Sequence, residues 1–132
     1  MGEETIFTKI VNGTIPATKV YEDNNFLAFM DINPINKGHV LVITKEPYKT
    51  LNDVPNDLVG EMFKLVHKLT QPIMDASGSE MFNWYVIGDE VPHAHIHIVP
   101  RFENDGKIKI ERSKSSSEEI ELFAQKIRDK IN

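Results

Sequence analysis

Three of the five histidines in this 132-residue chain fall within five positions, at His93, His95 and His97. They alternate with Ala94, Ile96 and Ile98, the period of a β-strand, which puts the imidazoles on one face and the apolar residues on the other. Successive rings then sit about 6.6 Å apart along the strand and the outer two about 13 Å. Neutral imidazole is nucleophilic and changes protonation near neutral pH, so one ring can attack while its neighbours shuttle protons and orient it. Two other readings stay open on spacing alone. Polar cover on a solvated strand face is one, although strand surfaces favour Thr and β-branched residues over a row of imidazoles. A metal site is the other. At about 13 Å the outer rings cannot both ligate an ion held by the middle one, and a metal would need two neighbouring histidines plus ligands from elsewhere. Cysteine is absent and no carboxylate stands at an obvious partner spacing.

The elements that must position these rings fit into one domain spanning 1–132, long enough to bury a core without disulfides or a structural metal. Fifteen basic against 20 acidic residues give a net charge of −5, the wrong sign for a general nucleic-acid binder. The N-terminus has no signal-peptide pattern and no run reaches the roughly 18 apolar residues of a membrane span. A soluble, cytoplasmic chain without nucleic-acid or membrane partners is expected.

A short helix is expected over Thr5–Val11, closed by Gly13, with Phe7, Ile10 and Val11 on one side. Lys19–Glu22 and Phe26–Met30 flank the turn signal Asp23-Asn24-Asn25 and read as a hairpin. After a loop over 33–38, His39–Ile43 reads as a central strand. Leu58, Met62, Leu65, Val66, Leu69 and Ile73 form the stripe of a long helix starting near Pro55, which Pro72 is expected to kink or end. His67 falls on its polar side. Met81–Ile87 and Ala94–Val99 read as further strands, and Pro92 suggests that the last is an edge or first strand. Residues 107–117 are polar and expected to be mobile, and Ser116 to Glu119 caps a final helix striped by Ile120, Phe123, Ala124, Ile127 and Ile131. Hairpin-linked strands with separate helices imply an α+β fold with a mostly antiparallel sheet.

The run His93-Ala94-His95-Ile96-His97-Ile98-Val99 resembles the signature of the histidine triad (HIT) family, three histidines alternating with apolar residues. Ile6–Ala17, Tyr21–Asp23, Phe29–Pro34 and Gly38–Ile43 resemble further family segments in the same order, so the likeness covers 4 to about 102 and leaves the tail 103–132 unmatched. The similarity is to the Hint-like branch, homodimeric nucleoside phosphoramidases and nucleotide-phosphate hydrolases. It implies a five-stranded antiparallel sheet with helices, a homodimer, a purine nucleotide substrate and no cofactor. By the same resemblance His95 attacks the α-phosphate to form a nucleotidyl-histidine, His97 bonds the phosphate and leaving-group region, and His93 and His39 form a relay setting the tautomer of His95. Asp31 would bind the ribose hydroxyls, and Phe7, Ile10, Phe29 and Ile32 the base. An apolar slot with one carboxylate for a diol suits a small-ligand site, although each apolar residue could equally be core.

Many family members carry a Cys-x-x-Cys pair and a histidine that bind structural zinc. Thr5, Thr8 and Tyr48 stand at those positions, so no structural zinc is expected. The approach loop also departs from the usual Gly-Gln-Ser/Thr-Val, reading Gly88-Asp89-Glu90-Val91, with Ile87 near the place of the customary asparagine. Glu90, in place of a hydroxyl at the nucleotide site, either serves as a general acid or points to solvent. Arg101, Lys107, Lys109, Arg112 and Lys114 could reach phosphates, but a solvated basic loop is the favoured reading. Two alternatives stand beside the phosphoramidase: a dinucleoside polyphosphate hydrolase, and a nucleotide-binding interaction module with little turnover. The complete set His39, His93, His95 and His97 weighs against the module.

Overall fold

The computed structural model describes residues 4–105 and 112–131. In chain order its elements are α1 (Ile6–Val11), β1 (Lys19–Glu22), β2 (Phe26–Met30), β3 (Val40–Thr44), α2 (Asn56–Ser77), β4 (Met81–Tyr85), β5 (His95–Arg101) and α3 (Ser117–Ile131). The strands form one antiparallel sheet in the order β1-β2-β3-β5-β4, an α+β architecture as the sequence implied.

Local chemistry explains where the elements begin and end. Thr5 caps α1, its hydroxyl accepting the N–H groups of Phe7 and Thr8, and the Thr8 hydroxyl accepts the N–H of Thr5 in return. Thr5 and Thr8 thus form a reciprocal cap at the start of α1. Asp23 closes the β1–β2 hairpin by accepting the N–H groups of Asn25 and Phe26, both at 2.8 Å. Pro72 does not end α2, one of the two expected outcomes: the helix runs on to Ser77 and ends at Gly78 in the left-handed conformation, φ 77°. Ile73, fully buried directly after the proline, and the Gly78 cap hold the last turn in place against the lost hydrogen bond.

Period-two alternation sorts the sheet into two faces. Val20, Phe26, Ala28, Met30, Val40, Val42, Ile96 and Ile98 face α2 and α3 and form the larger core. Leu27, Phe29, Leu41 and Ile43 point the other way, where Phe7 and Ile10 of α1 cover them. His95 and His97 share that second face, paired with Ile43 and Leu41 of β3. The position of β5 corrects the edge assignment: it lies between β3 and β4. Pro92 precedes the strand, so its missing N–H interrupts no ladder and places no limit on strand position. The approach is tied down instead by Ala94, whose N–H bonds the Tyr48 carbonyl at 2.8 Å. Among the described residues no helix is long and apolar enough to cross a membrane.

Candidate functional site

Strand register brings the histidines together. His39 immediately precedes β3, β5 runs antiparallel beside it, and the His39 and His97 rings come to rest with centroids 5.1 Å apart. The His95 and His97 centroids are 5.0 Å apart, closer than strand spacing alone allows, because the rings tilt toward each other. Phe7 lies edge-on against both His93 and His95 at 5.8 and 5.2 Å. All four histidines are buried, so the row is no solvated strand face.

The hydrogen bonds determine which nitrogen carries each proton. The Ile35 N–H donates to His39 Nδ1 at 3.0 Å, which leaves the His39 proton on Nε2. That proton is donated to His97 Nδ1 at 2.9 Å, so a neutral His97 holds its own proton on Nε2. His95 Nδ1–H donates to the His93 carbonyl at 2.6 Å, leaving Nε2 with a free lone pair. His93 Nε2–H donates to the Thr44 carbonyl at 2.6 Å. His93 Nδ1, His95 Nε2 and His97 Nε2 are buried without a hydrogen-bond partner among the described residues. The first two are therefore unused acceptors and the third an unused donor, and of the two acceptors His95 Nε2 is the one grouped with His97 and Glu90. Burial holds all four imidazoles below their ordinary pKa, His39 and His97 down to about 3, so the rings are neutral at pH 7.

The relay differs from the expected one. His39 acts on His97, and His93 reaches His95 through its backbone carbonyl while its ring turns back to β3. The reason is geometric: Val40 pairs with Ile98 and Leu41 with His97, so His39 is diagonal to His97 on the same face and one pair further from His95.

A cavity of about 540 Å³ opens beside the rings. Phe7, Ile10, Phe29, Ile32, Leu41 and Val91 supply its apolar wall, and Asp31, Glu90, His97 and Arg112 its polar side. Phe7, Ile10 and Phe29 are both core and cavity wall, whereas Ile32 is 66% exposed at the mouth. His95 does not line this cavity. It adjoins His97 and Glu90, which do: the ligating atoms of the three residues lie within 4.8 Å of one another.

Asp31 Oδ1 accepts the Asn33 N–H at 2.8 Å, a turn contact, while Oδ2 accepts from Arg112 at 2.6 Å. Both Glu90 oxygens accept from Arg112 Nη2, at 2.8 and 2.9 Å. Arg112 therefore corrects the solvated-loop reading, and Glu90, although exposed, has both oxygens bonded to Arg112. Of the other basic candidates, Arg101 is buried beside Asp105 in a separate groove, Lys114 is exposed, and Lys107 and Lys109 lie outside the described residues. His67 is exposed on α2. Arg112 could not be told from its basic neighbours in the sequence, because a polar stretch has no periodicity to read.

Two sets of side chains approach metal-binding geometry, Asp31–His39–His97 and Glu90–His95–His97. Proton placement opposes both. His39 Nε2 and His97 Nδ1 are spent on each other, and His97 Nε2 carries a proton as long as the Ile35 N–H points at His39. Only His95 Nε2 and Glu90 remain as ligands, fewer than a stable site requires.

Comparison with known proteins places this geometry in context. The HIT domain family model matches residues 12–104. The chain is 45% identical over 108 residues to a HIT-like protein of Methanocaldococcus jannaschii, covering 78% of this chain and 83% of that one. It is 34% identical over 129 residues to the adenosine 5'-monophosphoramidase hnt1 of Schizosaccharomyces pombe, covering 96% and 97% of the two chains. A solved histidine triad nucleotide-binding protein of Sulfolobus tokodaii superposes with a TM-score of 0.88 at 29% identity, over 96% of this chain and 91% of that chain.

Proposed function

Since the chain belongs to the HIT domain family, we propose that it hydrolyses purine nucleoside phosphoramidates or related nucleotide phosphoesters through a covalent bond to His95. The observation that carries this reading is the orphaned Nε2 of His95, whose lone pair the His93 carbonyl keeps available by holding the ring proton on Nδ1. In the first step Nε2 bonds to the α-phosphorus as the bond to the leaving nitrogen breaks. That nitrogen departs with the electron pair and takes a proton from solvent. The positive charge appearing on the His95 ring is stabilised by the same carbonyl, and His97 Nε2–H donates to a phosphate oxygen. Water then attacks phosphorus and loses a proton to solvent, and the Nε2 lone pair is restored. Asp31 takes the ribose hydroxyls, and Phe7, Ile10, Phe29 and Ile32 hold the base.

The test is to mix the protein with adenosine 5'-phosphoramidate and follow both turnover and protein mass. An adenylyl adduct that maps to His95, with release of AMP, is expected. Nucleotide binding without turnover or adduct favours the interaction-module reading, and preferential turnover of a dinucleoside polyphosphate in competition favours that hydrolase.

A homodimer belongs to the same proposal. β4 is an open edge of the sheet, and Met81, Phe82, Trp84 and Phe63 of α2 form an exposed apolar surface beside it. Sedimentation should give a dimer that Trp84→Glu dissociates; a monomeric wild type at micromolar concentration removes this part.

A further inference from the structure

Arg112 belongs to the tail, outside the region matched by the family model, yet it reaches the centre of the candidate site. Its place is built. The Ser113 N–H and hydroxyl both bond the Pro34 carbonyl, at 3.0 and 2.7 Å, which fastens the tail to the loop after Asp31. From there Nη1 contacts Asp31 Oδ2 and the Asn33 carbonyl, and Nη2 chelates Glu90. The guanidinium thus bridges two carboxylates that both lie next to the histidines: Asp31 Oδ2 is 3.6 Å from His39 Nε2, and Glu90 Oε1 is 3.5 Å from His97 Nε2.

Charge states what this cation is for. With the imidazoles neutral, Asp31 and Glu90 present two negative charges to an anionic ligand, and Arg112 is the one cation among the described residues lining the cavity. Without it, a nucleotide phosphate would meet two carboxylates with the neutral His97 Nε2–H as its donor and no positive charge opposite it. A ribose diol arriving at Asp31 competes with Nη1 for the same oxygen. Nη1 is then released toward the phosphate, while the two bonds from Glu90 to Nη2 keep the planar fork aimed.

Building on the nucleotide reading above, we propose that Arg112 is the phosphate-recognising and specificity-determining residue of this site, exchanging Asp31 for a phosphate oxygen, with Glu90 as its positioning residue. The site then selects nucleotides over nucleosides through the tail, and Glu90 in the approach loop serves to orient a cation.

Equilibrium binding of AMP and of adenosine to the full chain tests this, in wild type, Arg112→Ala and Arg112→Lys. Wild type is expected to prefer AMP. Arg112→Ala should weaken AMP by about 10- to 100-fold, the loss of a charge-assisted contact, with adenosine unchanged or tighter because Asp31 is freed. Arg112→Lys should recover part of the AMP affinity, since it keeps the charge and loses the fork. Thermal unfolding of both variants verifies that they fold. Unchanged AMP affinity in Arg112→Ala overturns the proposal. Equal tightening of AMP and adenosine also overturns it, since Arg112 would then be a plug. Wild-type protein that binds neither ligand overturns the nucleotide reading itself, and this one with it.

Discussion

Replacing His95 with alanine is expected to lower kcat by about 10⁴-fold or more, the usual consequence of removing a covalent nucleophile, and to abolish the nucleotidyl adduct. The effect should fall on chemistry and leave binding intact. His95 is not among the residues that line the cavity, so AMP affinity in His95→Ala should stay within a few-fold of wild type. The variant leaves the His93 carbonyl without its donor and opens space under Phe7, a stability cost of about 1–3 kcal/mol. Comparing kcat with a thermal-unfolding midpoint separates that cost from the catalytic one. His97→Ala should be milder, because it removes a donor to the phosphate and leaves the nucleophile in place. Turnover that survives His95→Ala removes the mechanism altogether, as no other described imidazole nitrogen combines a free lone pair with this position beside the cavity.

Acid is expected to destabilise the protein steeply, starting well above the range where carboxylates titrate. An unfolded chain protonates its histidines as pH falls through about 6.5. In the fold, burial keeps His39 and His97 neutral down to about 3, so between these limits the unfolded state binds more protons. Stability is thus fully present above about pH 6.5 and is lost as pH falls, by about 1.4 kcal/mol per unit for each such group. The two rings share a hydrogen bond and act with the same sign, so the loss weighs against the small net stability of a domain. His93 and His95, also lowered by burial, act with the same sign. Glu22, Asp23 and Asp105, whose carboxyls are held below their ordinary range, add their loss only at lower pH. Urea unfolding at pH 7.5, 5.5 and 4.5 measures the slope. A free energy that stays constant over this range would show that the rings are solvated or charged in the native state. Activity follows the same direction: depressed imidazoles keep kcat/KM level below pH 6.5, where a free histidine nucleophile would already be protonated.

Much of the fold was legible because burial leaves a local period. The hairpin bounds Lys19–Glu22 and Phe26–Met30 match the structure, since Asp23 in the turn marks where pairing must reverse. Pro72 does not end α2 because proline reports a local penalty, while the buried Ile73 and the glycine cap that outweigh it act over a whole turn. The apolar candidates Phe7, Ile10 and Phe29 could not be divided between core and cavity in advance, and they turn out to be both.

The alternation at His93–Val99 by itself determined that His95 and His97 share a face and that Ile96 and Ile98 enter the core, since side-chain direction along a strand follows from backbone geometry alone. Only the tertiary structure decided what each imidazole does. The proton on His97 depends on His39, 58 residues away, and on the Ile35 N–H beyond it. The cation at the site comes from Arg112, 81 residues from Asp31. Strand order and the path of the tail set those meetings. They bring together groups far apart in the chain, and no local preference of either partner encodes the hydrogen bond between them.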